Sequence, residues 1–210
     1  MTGMRKLLIY GDSNSFGTAP MARIGISPAH PKGSRWGEVL AGELANEWEV
    51  VIEGLPGRTT VHDDPIEGAY RNGASVLPAI LHSHKPIDLL VICLGTNDLK
   101  LRFSVGAQDI ALGLARLTRE ALASGTVGKV LLIAPPPAKE RGDLAEMFRG
   151  AETRVLGLAD AIERVAREEG AAYFHAGGVI AVDEADGIHW SQGAHATLGR
   201  ALTPVVRGLG

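Results

Sequence analysis

Short apolar runs alternate along the chain with longer segments in which apolar residues recur at helical spacing. The short runs have the length of buried β-strands and are Arg5–Tyr10, Glu49–Glu53, Leu89–Leu94, Val130–Ala134 and Ala172–His175. The helical segments are Trp36–Leu44, Ala74–His82, Asp109–Ser124, Leu144–Glu168 and Ala194–Val206. Helical crossovers link parallel strands, and strands that are apolar on both faces need helices on each side. This order therefore predicts a parallel sheet in a three-layer α/β/α domain.

The length of 210 residues is typical of one large domain, and no internal repeat or linker divides the sequence. We therefore expect a single domain over residues 1–210. The segment Gly17–Gly33 breaks the alternating pattern, because it holds three prolines and three glycines without periodicity. Such composition predicts a surface loop, here one that shapes a pocket.

Composition and charge narrow the class of protein. Hydrophobic residues make up 45% of the chain and charged residues 21%, which provides enough apolar material for a globular core. The 21 Lys and Arg residues against 24 Asp and Glu give a net charge of -3, without the basic footprint of a nucleic-acid-binding protein. No apolar stretch approaches the roughly 20 residues of a membrane span. Neither nucleic acid nor membrane is an expected partner.

Two features of the sequence indicate where in the cell the protein is expected. The single cysteine, Cys93, lies within an apolar run, which is typical of a buried, inert thiol and favours a reducing compartment. Near the basic start of the chain, the apolar run Leu7–Tyr10 is shorter than the roughly 7–15 residues of a signal-peptide core. A cytoplasmic location is therefore expected.

Polar residues suited to acyl transfer follow four of the predicted strands. Ser13 follows the first strand, Gly57 the second and Asn97 the third, while Asp186 and His189 come after the fifth. Ligands of open parallel sheets bind beyond the carboxyl ends of the strands. We therefore expect these residues to meet in one crevice.

These residue types suit a nucleophilic serine mechanism. A serine hydroxyl attacks a carbonyl when a base takes its proton, and a histidine such as His189 can do this near neutral pH. Asp186, three residues earlier in the sequence, can accept the other ring N–H and so fix the imidazole tautomer. The negative oxygen that forms needs hydrogen-bond donors, and the N–H groups of Ser13 and Gly57 and the amide of Asn97 are candidates.

The blocks Gly11-Asp12-Ser13, Gly57, Gly95-Thr96-Asn97-Asp98 and Asp186-x-x-His189, in this order, resemble the SGNH (GDSL-type) hydrolases over most of the chain. The resemblance implies that Ser13 is the nucleophile, His189 the base and Asp186 its partner. It implies that Ser13, Gly57 and Asn97 form the oxyanion hole. It also implies a flavodoxin-like sheet of five parallel strands in the order 2-1-3-4-5.

Further segments resemble the bacterial arylesterase/acyltransferase branch of the family, with carbohydrate acetylesterase-like relatives nearby. They are Glu53-Gly54-Leu55, Arg58-Thr59-Thr60, Asp64-Pro65, Asn72-Gly73-Ala74 and Gly95-Thr96-Asn97-Asp98-x-Lys100. This similarity implies a serine esterase for short-chain acetyl-type or aryl esters, with acyl transfer to alcohols or peroxide. It also implies a homo-oligomer, a tetramer or octamer.

Positions beside the motifs complete the predicted site. Phe16, Lys100 and Ile188 are expected to line the acyl pocket because they neighbour the motif residues in sequence. The chain departs from the family pattern at Asn14, where many relatives carry leucine. Asp98 is expected to brace its loop rather than to react.

Two alternative functions stay open at this point. The segment from Ser13 to Thr18 also resembles a flavodoxin-type phosphate loop, which would make the chain a phosphate- or flavin-binding module without hydrolase activity. Aromatic residues are only 5% of the chain, and this alternative leaves Asp186 and His189 without a role. A noncatalytic interaction protein that keeps the fold is the second alternative.

The remaining histidines do not predict a metal centre. His62-Asp63-Asp64 and His82-x-His84 contain residue types that bind metals. However, residues 82 and 84 do not share a helical face, and no further ligand has suitable spacing. We expect no metal and no cofactor. His30 and His195 are expected on a loop and on a helix surface.

Overall fold

The computed structural model describes residues 3–21, 23–25 and 28–210, and within these it contains one five-stranded sheet. The strands are β1 (Arg5–Gly11), β2 (Trp48–Gly54), β3 (Ile87–Cys93), β4 (Val127–Ala134) and β5 (Ala172–His175). All neighbouring pairs are parallel, and the order is β2-β1-β3-β4-β5. The predicted parallel sheet and its strand order are confirmed.

Helices connect the strands. They are α1 (Ser13–Phe16), α2 (Trp36–Glu43), α3 (Gly73–His84), α4 (Ala107–Ala123), α5 (Ala151–Arg154), α6 (Leu158–Glu168) and α7 (Gln192–Leu209). Short 3₁₀ turns lie at Ala69–Arg71, Asn97–Leu99, Leu101–Phe103, Gly142–Leu144 and Ala176–Gly178. None of the helices in the part of the chain that the structure describes is long and apolar enough to cross a bilayer.

The core lies on both faces of the sheet. Successive strand residues point to opposite faces, and β1 shows this clearly. Leu7 and Ile9 belong to one buried cluster with apolar residues of α2 and α7. Leu8 and Tyr10 belong to a second cluster with α3, α4 and α6. Helices therefore cover each face, which confirms the three-layer α/β/α architecture.

The prediction of a single helix over Leu144–Glu168 is wrong. This segment contains the end of a 3₁₀ turn and two separate helices, α5 and α6. Gly150 and Gly157 precede these helices with φ of 80° and 76°, a left-handed conformation that a continuous α-helix cannot contain. The break leaves residues 144–150 outside a regular helix, and three of their side chains line the cavity described below.

His195, expected on a helix surface, is buried, and His30 lies on a loop as expected but is also buried. His195 has no exposed surface, and its Nδ1 accepts the backbone N–H of Trp36 at 3.2 Å. His30 is 8% exposed, and its Nε2 lies 2.9 Å from the carbonyl oxygen of Trp190. The close packing of α7 on α2 explains the burial of His195, which faces the first turn of α2.

Candidate active site

The nucleophile candidate lies at the start of a single helical turn. β1 ends at Gly11, and Asp12 then caps α1 by accepting the N–H of Asn14 on Oδ1 at 2.9 Å. The turn packs closely on the end of β2, because a Cβ on Gly54 would lie only 2.3 Å from the backbone nitrogen of Phe16. Ser13 is therefore held at the carboxyl edge of the sheet, where its N–H makes no hydrogen bond to another described residue.

Asp186 and His189 reach the same edge from the segment between β5 and α7. Asp186 Oδ1 accepts the N–H groups of Ile188 and His189 at 3.0 and 2.9 Å, which closes a tight loop. Asp186 Oδ2 lies 2.7 Å from His189 Nδ1, and His189 Nε2 lies 3.1 Å from Ser13 Oγ. The structure thus joins the three side chains that the sequence singles out into one hydrogen-bonded chain.

The surroundings of Asp186 favour its charged form. Burial raises its pKa, but the hydrogen bond and charge of His189 and the N–H of Met21, at 2.7 Å from Oδ2, lower the pKa by more. The net pKa lies below the ordinary value. An ionised carboxylate keeps the proton on His189 Nδ1 and leaves Nε2 free to accept the proton of Ser13.

The other predicted site residues lie around Ser13. Gly57 adopts φ of 82°, and its N–H makes no hydrogen bond to another described residue. Asn97 Nδ2 donates to Asp12 Oδ2 at 3.3 Å and to the carbonyl oxygen of Arg58 at 3.2 Å. Burial raises the pKa of Asp12 to about 6, against the opposing effects of the Asn14 N–H, His189 and Arg58. The N–H groups of Ser13 and Gly57 are therefore left without acceptors among the described residues, whereas the Asn97 amide donates to Asp12 and Arg58.

Comparison of the chain with models of protein families identifies its family. The model of the GDSL-like Lipase/Acylhydrolase family matches residues 9–197. The chain belongs to this family. Its assignment as a carboxylic ester hydrolase, predicted from the motifs, is confirmed.

Solved structures of similar proteins cover nearly the whole length of this GDSL-like hydrolase. The aryl esterase of M. smegmatis is 38% identical with a TM-score of 0.93, over 98% of this chain and 100% of that one. A carbohydrate acetylesterase from Sinorhizobium meliloti is 35% identical with a TM-score of 0.93, over 98% and 100%. A putative arylesterase from Agrobacterium tumefaciens is 36% identical with a TM-score of 0.88, over 99% and 100%. A comparison with curated proteins found no match.

The site of the GDSL-like hydrolase opens into a cavity of about 380 Å³, which Ser13, Gly57, Asn97 and His189 line together. Its lining includes an apolar set of side chains, named the apolar wall, and a charged set, named the charged wall. The apolar wall consists of Met21, Ile24, Leu144, Met147, Phe148 and Ile188. The charged wall consists of Glu67, Arg71 and Lys100.

Two of the three residues expected to line the acyl pocket lie in the lining of this cavity. Ile188 belongs to the apolar wall, and Lys100 belongs to the charged wall, where its amine pairs with Glu67. The pKa of Lys100 is lowered overall, because burial lowers it by more than Glu67 raises it. The structure does not place Phe16 in the cavity: its side chain is 41% exposed and lies against the Arg35 guanidinium, 5.4 Å from the ring centre.

The loop Gly17–Gly33 contributes to the site as expected. Met21 and Ile24 line the cavity, and the N–H of Met21 reaches Asp186. Ala22, Ile26 and Ser27 of this loop lie outside the described residues.

The two histidine-containing segments with metal-binding residue types form other contacts. His84 Nε2 lies 2.8 Å from Glu53 Oε1, and Asp63 accepts the side-chain amide of Asn72 at 2.8 Å. Among the residues that can be described, no three His, Cys, Asp or Glu side chains are grouped so as to hold a metal ion. Asp98, expected to brace its loop, accepts the N–H of Thr60 at 3.1 Å.

Several residues of the site are not predicted from the sequence. Met147 and Phe148 lie in the segment that was expected to be helical, and Gly150 was the signal that could have placed them elsewhere. Asn14 Nδ2 donates to the carbonyl oxygen of Ile188 at 3.2 Å, so the departure from leucine links α1 to the loop of His189. Arg71 lies in no recognised motif.

Proposed function

We propose that this GDSL-like hydrolase is a serine esterase that cleaves short-chain acetyl-type or aryl esters through an acyl-serine at Ser13. The observation that carries the proposal is the hydrogen-bonded chain from Asp186 through His189 to Ser13 Oγ, beside a cavity that Gly57 and Asn97 also line. This chain gives Asp186 and His189 the roles that a phosphate- or flavin-binding module would leave empty.

Acylation would follow from these positions. Ser13 Oγ attacks the ester carbonyl carbon while its proton moves to His189 Nε2, and Asp186 stabilises the resulting imidazolium. The carbonyl oxygen becomes negative and accepts hydrogen bonds from the N–H groups of Ser13 and Gly57 and from the amide of Asn97, which gives up one of its two long contacts to Asp12 and Arg58. The bond to the alcohol oxygen then breaks, and the leaving alcohol takes the proton from Nε2.

Deacylation repeats these steps with water. His189 Nε2 takes a proton from water as the water oxygen attacks the acyl carbon, and the acid leaves when Ser13 Oγ regains the proton. An alcohol or peroxide in place of water would give acyl transfer, and we include this in the proposal.

The size and lining of the cavity support short acyl groups. A volume of about 380 Å³ lies near the lower end of the range for small-molecule pockets. The apolar wall suits a methyl or aryl group, and the neighbours from M. smegmatis and Sinorhizobium meliloti are an aryl esterase and a carbohydrate acetylesterase. The single domain, the cytoplasmic location, the tetramer or octamer and the absence of nucleic-acid partners stay predictions.

Labelling and turnover test the proposal together. We expect native protein to hydrolyse nitrophenyl acetate faster than longer nitrophenyl esters, and to be labelled by a fluorophosphonate. Ser13→Ala should abolish both. Ser15→Ala is the matched control, because Ser15 is a buried serine two residues away whose hydroxyl makes no hydrogen bond to His189, and it should keep both. Labelling that persists in Ser13→Ala, or folded native protein without ester turnover, would contradict the proposal.

A further inference from the structure

One peptide unit links the proposed oxyanion hole to the charged wall of the cavity. The unit that joins Pro56 to Gly57 carries the Gly57 N–H at one end and the Pro56 carbonyl oxygen at the other. Arg71 Nη1 donates to that oxygen at 2.7 Å. In a trans peptide the C=O and N–H point in opposite directions, so the guanidinium lies on the side away from the N–H.

We infer that Arg71 is a positioning residue for the oxyanion hole, acting through the Pro56–Gly57 peptide. The inference rests on the proposed esterase function, since it assigns a role within the same site. Arg71 fixes the orientation of this peptide and, by holding positive charge against its carbonyl oxygen, makes the Gly57 N–H a stronger donor.

The guanidinium is itself held from several directions. Arg71 Nε donates to the backbone carbonyl of Glu67 at 3.1 Å, and Nη1 also donates to the Glu67 carboxylate at 3.2 Å. That carboxylate pairs in turn with Lys100 and with Arg102, whose Nη2 lies 3.4 Å away. With its side chain only 21% exposed, Arg71 has little freedom to leave Pro56.

The conformation of Gly57 depends on the same contact. A Cβ built on Gly57 would lie 1.8 Å from Arg71 Nη1, so the guanidinium packs against a bare α-carbon. The φ of 82° at Gly57 also disfavours other residues. A side chain at this position would displace Arg71 from the peptide that carries the donor.

The charge on Arg71 should matter most in the transition state. Hydrogen bonds to ionised groups are roughly twice as strong as neutral ones, and linked hydrogen bonds strengthen one another. The carbonyl oxygen of a bound ester accepts weakly, whereas the oxyanion accepts strongly. An interaction that grows only as the oxyanion forms raises kcat and leaves KM nearly unchanged.

Substitution of Arg71 with two ester types tests the inference. We expect Arg71→Gln to lower kcat for nitrophenyl acetate about tenfold with KM changed less than about twofold, a smaller loss than the 10²–10³ for removal of a whole donor. Arg71→Lys, which keeps a charged donor, should lose only about two- to fourfold. Arg119→Gln is the control, because it removes an equal charge and a surface ion pair with Glu169, and it should leave kcat unchanged.

The thiono analogue of the same ester separates positioning of the donor from a general structural role. Its sulfur accepts hydrogen bonds from the oxyanion hole poorly, so both Arg71 variants should be slowed much less on the thionoester than on the oxygen ester. Equal losses on both esters, or no loss on either, would overturn the inference. If Arg71→Gln does not fold, Arg71→Lys decides by the same comparison. Failure of the proposed function is distinct, because it would show as native protein without turnover or as active Ser13→Ala.

Discussion

The buried ring of His195 should make the fold sensitive to mild acid. Its Nδ1 accepts the N–H of Trp36, the first residue of α2, which has no partner within its own helix. Burial lowers the pKa of His195 to about 3, with smaller contributions from the charges of His30, His189 and Arg35. The ring must stay unprotonated at Nδ1 to accept this hydrogen bond.

The sign and size of the effect follow from the two pKa values. In the unfolded chain a histidine titrates at roughly pH 6.5. Below that pH the unfolded state gains a proton that the folded state does not take up until the pH nears 3. The free energy of unfolding therefore falls by about 1.4 kcal/mol for each pH unit across this window. Between neutral pH and about pH 5 the contribution of His195 amounts to a loss of about 2 kcal/mol.

Urea unfolding of native protein and His195→Asn measures this contribution. The asparagine side chain places an oxygen near the position of Nδ1, where it can accept the Trp36 N–H, and it does not titrate. Native protein should lose about 2 kcal/mol more than the variant when the pH falls from about 7.5 to about 5. A constant difference in stability between the two proteins does not affect this comparison. Equal losses in both proteins would refute the reasoning.

Three further predictions concern the site. Asp186→Asn should lower kcat for nitrophenyl acetate on the order of 10⁴-fold while the circular dichroism spectrum is unchanged, and a loss below tenfold would contradict the role of the carboxylate. Asn97→Ala should lower kcat about 10²–10³-fold, and a change confined to KM would argue against an oxyanion donor. Asn14→Leu should lower kcat, because it leaves the Ile188 carbonyl without the Asn14 donor that ties α1 to the loop of His189, and an unchanged kcat would contradict this role.

The fold could be predicted largely because its signals are local. Each strand is a short apolar run that ends in turn-forming residues, and β1 shows this where Tyr10 gives way to Gly11 and Asp12. The strand order came from the motif resemblance rather than from periodicity. The break at Gly150 and Gly157 could not be predicted, because the flanking apolar residues keep a helical spacing. The pattern of apolar positions does not show that these two glycines adopt a left-handed conformation.

The residues that the sequence could identify in the site differ physically from those that it could not. The proposed roles of Ser13, Asp186 and His189 depend on side-chain groups whose chemistry is specific to their residue types, so their pattern is visible without coordinates. Arg71 and Asn14 instead contact the backbone carbonyls of Pro56 and Ile188.

A contact to a backbone group does not depend on the type of the residue that is contacted, so the sequence does not reveal it. Every residue offers the same carbonyl oxygen, so the spacing of 15 residues between Pro56 and Arg71 carries no signature. The hydrogen bond from the Met21 N–H to Asp186 could not be predicted either, because any residue other than proline at position 21 could donate it. In this site the reacting groups are therefore encoded by residue type, whereas their alignment depends on which peptide units the fold brings within hydrogen-bonding distance.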